Sequence, residues 1–183
     1  MSITKHKYQS KLSTRSKVAR LGWDLTYWLL FRTTPRWALA KWRVFLLRCF
    51  GATIGEGCIV SPTCRIWAPW NLELGSLVCL GDDVDCYCVD KITIGSKVAV
   101  SQRSFLCTAS HEINTYQRAL THAPITIGDH VWICAEAFVA PGVTIDHSAV
   151  VAARAVAIRD VAAFEIVGGN PAQVIRKRAI EAE

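Results

Sequence analysis

Five histidines, eight cysteines and three closely set aspartates, Asp82, Asp83 and Asp85, are the residues of this 183-residue chain whose types suit chemistry. Imidazole exchanges a proton near neutral pH, so each histidine is a candidate base or metal ligand. His111, His122 and His130 stand at intervals of eleven and eight residues. A zinc centre built on histidines needs a closer pair with a third ligand at hand, so the spacing argues against a metal. The cysteines do not change this. Cys86 and Cys88 are one residue apart, short of the roughly two to four residues of common zinc knuckles. What any of these side chains can do depends on the elements that hold them.

Those elements are legible as a period of six. Apolar residues recur at Ile54, Val60 and Ile66, then Leu74, Leu80 and Cys86, then Ile94, Val100 and Leu106. After a break they return at Ile127, Ile133, Val139, Ile145, Val151 and Ala157. This fits neither a 3.6-residue helix nor a simple alternating strand. It fits a parallel β-helix of hexapeptides, in which three repeats make one triangular coil and stacked coils bury a continuous core. The starts at 54, 74 and 94 are 20 residues apart, two more than three hexapeptides need, which predicts outward bulges at Leu72-Glu73 and Ile92-Thr93. The break predicts an external loop over residues 112–124. Cys58 and Cys64 fall on the small inward fifth position, Cys86 on the inward row, and Cys107 and Cys134 just after it, so they read as apolar fillers. His130 and His147 fall on outward positions, His122 in the loop and His6 in the tail; all four are expected in solvent.

Charge is uneven. Residues 1–50 hold eleven Lys or Arg and one acid, Asp24, together with Trp23, Trp28, Trp37 and Trp42. Leu21 to Phe31 and Trp37 to Phe50 read as helices split by Thr-Thr-Pro. No apolar run is long enough to span a bilayer. Rings mixed with cations at Trp37, Lys41, Arg43 and Arg48 suit an anionic membrane surface. The same segment also suits a cap over the open first coil, which a solenoid requires. Both readings stand. No recognition motif accompanies the charge, so nucleic acid is not expected. The start of the chain does not read as a signal peptide, so a cytoplasmic protein is expected, peripheral at the inner face of the membrane if the segment binds lipid. The organisation is then a helical segment at 1–50, an all-β left-handed parallel β-helix at 51–168, and a short tail at 169–183.

LCTASHEI, a loop, and PITIGDHVWICAEAFVAPGVTI resemble the sugar O-acetyltransferase branch of the hexapeptide-repeat acyltransferases. GGNPAQVIRKR is similar to that family's closing signature. WRVFLLRCFGATIGEG and LGDDVDCYCVDKITIGSKVAVSQRSFLCTASH are most similar to the colanic acid biosynthesis acetyltransferases. The resemblance spans roughly residues 40–178.

The resemblance implies an acetyl-CoA-dependent homotrimer without metal. Its acceptor would be a sugar hydroxyl of a surface polysaccharide or of its lipid-linked or nucleotide-linked precursor. His111 matches the general base, set in a cleft between subunits. Asp82 and Asp83 match the acceptor side or read as outward turn carboxylates, and Trp132 matches an aromatic wall. Ala135 and Ala153 match the groove for the pantetheine arm, with the Ala135 N–H a candidate oxyanion donor. Arg159 and Arg176 match cations near the CoA phosphates. Gly81 stands where an Asn is usual, Ile158 where Thr is frequent, and Gln173 where some relatives have Arg. A non-catalytic scaffold or an amino-sugar N-acyltransferase are the alternatives. A zinc hydratase on the same fold is disfavoured by the histidine spacing.

Overall fold

Every inward residue of the six-residue period stacks on its counterpart one coil away. The structure, a computed structural model, describes residues 13–180. On the first face Ile54, Leu74, Ile94, Ile127 and Ile145 form one column of parallel strand pairs. The second face carries Val60, Leu80, Val100, Ile133, Val151 and Val167. The third carries Ile66, Cys86, Leu106, Val139 and Ala157. All of these side chains are buried and share one core. The result is a left-handed parallel β-helix. A partial sixth coil follows, with Val161 bridging to Ile145.

The two extra residues per coil are not outward bulges. Leu72 and Ile92 are fully buried and pair in register with each other and with Ile125. Side chains two apart on a strand share a side, so Leu72 and Leu74 both enter the core. The surplus length lies at the preceding corner, where Pro69–Asn71 makes a 3₁₀ turn. The filler reading fits Cys58, Cys64, Cys86 and Cys107, which are buried and unbridged, but not Cys134, which is half-buried; Cys88, unread in the sequence, is buried as well. Burial pushes the Cys88 thiol up to about 12, so it stays protonated and unreactive.

The first coil is closed by two helices, α1 (Thr14–Thr26) and α2 (Ala40–Cys49). Ser13 caps α1 through its hydroxyl, and a wide turn over Tyr27–Phe31 follows. Between coils, Gly55, Ser61 and Trp67 donate to the carbonyls of Leu74, Leu80 and Cys86. The equivalent carbonyls of the first coil, on Ile54, Val60 and Ile66, have no coil beneath them. Side chains replace it. Arg48 donates to Ile54 at 2.5 Å, Arg43 Nε to Val60 at 2.6 Å and Trp23 Nε1 to Ile66 at 2.6 Å. Arg43 is wholly buried, and its guanidinium also holds Thr34 Oγ1 and the carbonyls of Pro35 and Ala38. The expectation that Arg43 faces a membrane is therefore corrected. Its charge is spent on the edge of the solenoid, because buried carbonyls need donors.

The far end closes differently. Gln173–Lys177 turns back and pairs antiparallel with Glu165–Gly168, backbone to backbone.

Candidate active site

The break in the period is an arm, not an irregular loop. Ala109–His111 pairs antiparallel with Leu120–His122, and residues 112–119 form the tip. Its root is locked by Thr108, which is buried. The Thr108 hydroxyl donates to the Tyr87 carbonyl at 2.8 Å and accepts from the Asp90 N–H at 2.9 Å, while Ala123 N–H closes onto the Thr108 carbonyl.

His111 is exposed on this arm, with Nδ1 2.7 Å from the carbonyl of Arg118. A carbonyl only accepts, so Nδ1 carries the hydrogen and Nε2 keeps its lone pair. The arm thereby fixes the tautomer of the neutral ring. His122 pairs across from Ala109, and His111 from Leu120, so both imidazoles lie on one face of the ribbon as a diagonal pair. His122 Nδ1 is 2.7 Å from Asp90 Oδ2. Burial works to raise the Asp90 carboxyl, but His122 and the Lys91 N–H outweigh it and hold it below the usual range. His122 is thus exposed, as expected, but not free. His147 contacts Asp146 in the same way.

The strand that leads into the arm, Phe105–Cys107, lines a cavity of about 300 Å³ on the third face. Its walls include Arg20, Asp24, Trp28, Arg65, Trp67, Asp85 and Tyr87. Trp67, Tyr87, Phe105 and Phe138 make an edge-to-face column up this face. Arg20 lies 4.0 Å over the Trp67 ring. Burial pushes the Asp85 carboxyl up, with Arg65 pulling the other way. Aromatic walls with a few polar groups are the usual lining of a small-molecule site. Of these residues, sequence reasoning singled out Asp85 alone. The signal was present: outward positions of the third face hold Arg65, Trp67, Asp85, Tyr87 and Phe105, while the first face holds Thr53, Glu73, Thr93, Thr126 and Thr144. A larger cavity of about 600 Å³ lies between α2 and the Gly55–Ile59 corner, at the capped end and far in sequence from the arm.

The remaining site candidates scatter over the triangle. Asp82 and Asp83 sit at the corner between the second and third faces. Asp82 is held by Arg36 at 2.8 Å and by the Ser61 hydroxyl. Asp83 is exposed on a left-handed backbone, φ 56°. Ala135 and Ala153 occupy the same corner two coils and more further on, next to Glu136, which bridges Arg103 and Arg154. The N–H groups of Ala135 and Ala153 donate to no other backbone group among the described residues. Their methyl side chains leave room for a chain laid along the corner. Trp132 is 48% exposed on the second face and donates to Ser101 at 3.0 Å. Arg159 lies at the corner between the third and first faces, beside a cavity of about 130 Å³ that Gln173 also lines. Arg176 is on the closing strand opposite Ile166. One chain therefore puts His111 and the Ala135–Ala153 corner on different edges.

No family model matches the chain. A curated relative from Escherichia coli K12, named as the colanic acid biosynthesis acetyltransferase WcaF, is 42% identical over 155 residues, covering 83% of this chain and 85% of the relative. The chain belongs to the hexapeptide-repeat acetyltransferases. Among solved structures, the hexapeptide-repeat acetyltransferase VCA0836 of Vibrio cholerae, complexed with acetyl coenzyme A, superposes on this acetyltransferase with a TM-score of 0.83. It shares 25% identity and covers 96% of both chains. A maltose O-acetyltransferase from Clostridium difficile 630 matches with a TM-score of 0.81 and 26% identity, over 92% of this acetyltransferase and 90% of that chain.

Proposed function

We propose that the protein moves an acetyl group from acetyl-CoA to a hydroxyl of a sugar in a surface polysaccharide, or in its lipid-linked or nucleotide-linked precursor. The observation that carries this is the Nδ1–H bond of His111 to Arg118, which in the neutral ring leaves the Nε2 lone pair unspent on an exposed arm. A sugar hydroxyl is a weak nucleophile and needs its proton removed as it attacks. His111 Nε2 takes that proton. The thioester supplies the activated acetyl group, and the Ala135 N–H, which donates to no other backbone group among the described residues, would receive the oxyanion charge. The proton then passes from His111 to the departing sulfur. The acceptor would lie over the third face, its rings against Trp67 and Tyr87 and its hydroxyls toward Asp85, Arg65 and Asp24. The names of the relatives support a sugar acceptor and a role in exopolysaccharide assembly.

The donor would run along the Ala135–Ala153 corner of one copy, with Arg159, on the arm's edge, and Arg176 as the cations offered to its phosphates across the copies. That corner and the arm occupy different edges of one chain. The reading therefore needs a second copy to bring them into one cleft, and a homotrimer satisfies this by rotation. A lipid-linked acceptor would bring the enzyme to the inner face of the membrane.

The test is thiol release from acetyl-CoA with a panel of nucleotide sugars and undecaprenyl-linked oligosaccharides. His111→Ala should lower turnover by about 10²–10⁴-fold. Acetyl-CoA affinity should stay within about threefold, since the arm does not carry the corner. Near-full activity in His111→Ala would remove the mechanism. A wild type that neither binds acetyl-CoA nor turns over any acceptor would make the protein a scaffold.

A further inference from the structure

Helix α1 and the wide turn that continues it have two apolar faces, and the solenoid covers one of them. Trp23, Tyr27 and Phe31 are buried against the first coil. Residues four apart share one side of a helix, and Leu21, Leu25 and Leu29 fall on the side opposite that row. They are exposed by 62%, 57% and 67%, and Val18 beside them by 65%. Further exposed apolar side chains follow α1: Trp37, 88% exposed in the connection, and Phe45 on α2, stacked on Trp42. A helix that served only as a cap would turn a polar side to water. Exposed contiguous apolar surface of this kind marks an interaction site.

The charge beside it says what covers it. Arg15 and Lys17 are exposed on α1, and a helical turn of 3.6 residues sets them on either side of the leucine row. Arg32 is exposed just past it, over the Trp28 ring. Asp24 is the one acid in the first fifty residues. Arg43, Arg48 and Arg36 hold carbonyls or Asp82 and add nothing to this charge. No helix among the described residues is long and apolar enough to cross a membrane. An apolar stripe of this length with flanking cations suits insertion at the depth of lipid headgroups, not a span.

We propose that the outer face of the N-terminal hairpin, centred on Leu21, Leu25 and Leu29, docks the protein on an anionic lipid surface. The leucines enter the boundary between headgroups and acyl chains, and Arg15, Lys17 and Arg32 meet lipid phosphates. This does not depend on the transfer reaction.

The experiment is flotation of the full chain with vesicles of phosphatidylcholine containing 30% phosphatidylglycerol, and with phosphatidylcholine alone. At low salt the wild type should float with the anionic vesicles and be released severalfold by 0.5 M salt, because the charge component is screened. The variant Leu21→Gln, Leu25→Gln, Leu29→Gln should float at least tenfold less while keeping the wild-type circular dichroism and melting temperature. Its substitutions are on exposed positions, so the fold is not at stake, and the headgroup comparison needs no variant at all. Wild type that stays with the soluble fraction, or that floats equally with both lipids, overturns the proposal. A loss of oligomeric mass in the triple variant by light scattering also overturns it, since the leucine row would then join copies of this chain.

Discussion

The two ends of the β-helix solve the same problem by different means. Each leaves backbone polar groups without a neighbouring coil. At the first coil the missing partner is replaced by three side chains, Arg48, Arg43 and Trp23, each on a carbonyl of one face. At the last coil it is replaced by another stretch of backbone, Gln173–Lys177. A backbone cap works with almost any sequence. A side-chain cap works only with donors of the right reach. The first end should therefore be sensitive to single substitutions and the last end tolerant.

Arg43 should show the largest effect. Arg43→Met keeps the aliphatic stem but strips donors from Val60, Ala38, Pro35 and Thr34. Orphaned buried acceptors cost about 1–3 kcal/mol each. Urea unfolding should register a loss of about 3–5 kcal/mol, near the ceiling for one substitution. A loss under about 1 kcal/mol would mean that water reaches Val60 and that the two ends do not differ as argued.

Trp23→Phe should come next. The ring still packs against Tyr27, Phe31 and Phe50, but the Ile66 carbonyl loses its donor. About 1–3 kcal/mol is expected from the same measurement.

The corner ladder Arg103–Glu136–Arg154 lies between the ends and gives a control. Hydrogen bonds from Arg154 and then Arg103, with their charges, hold the Glu136 carboxyl below its ordinary value. A depressed carboxylate contributes stability above its unfolded-state value and loses it as pH falls through the depressed one. Thermal melts between about pH 5 and about pH 2 should show part of the acid sensitivity disappear in Glu136→Gln. The Arg43→Met deficit should stay constant over that range, because Arg43 is held by neutral oxygens.

The closing strand should show the smallest effect. Val174 is 56% exposed and pairs through its backbone with Val167. Val174→Thr should shift stability by no more than about 0.5 kcal/mol.

The same contrast explains what the sequence disclosed. The inward rows were legible because burial repeats with the coil, so a one-dimensional period reports a three-dimensional column. Leu72 and Ile92 were misread as surplus because the period gives spacing, not the shape of a corner. The capping donors were illegible: nothing in the spacing of Trp23, Arg43 and Arg48 marks the carbonyls of Ile66, Val60 and Ile54 as their partners. In the site, the motif around His111 pointed to one histidine, but the bond to Arg118 depends on how the arm folds. The cavity of the third face joins α1 to three successive coils far along the chain, so it forms only when the chain is assembled.

The arm that bears His111 leaves after the third coil, and the stack turns that ordinal into a height. Adjacent strands are roughly 4.8 Å apart, so the arm stands about two steps, or roughly 10 Å, above the coil that α2 covers. Residues 54, 74 and 94 begin successive 20-residue coils. Adding or removing one such coil would move the arm by a single step and leave both closures intact. The solenoid is in this sense a ruler, and the number of its graduations below His111 sets how far that imidazole stands from the capped end.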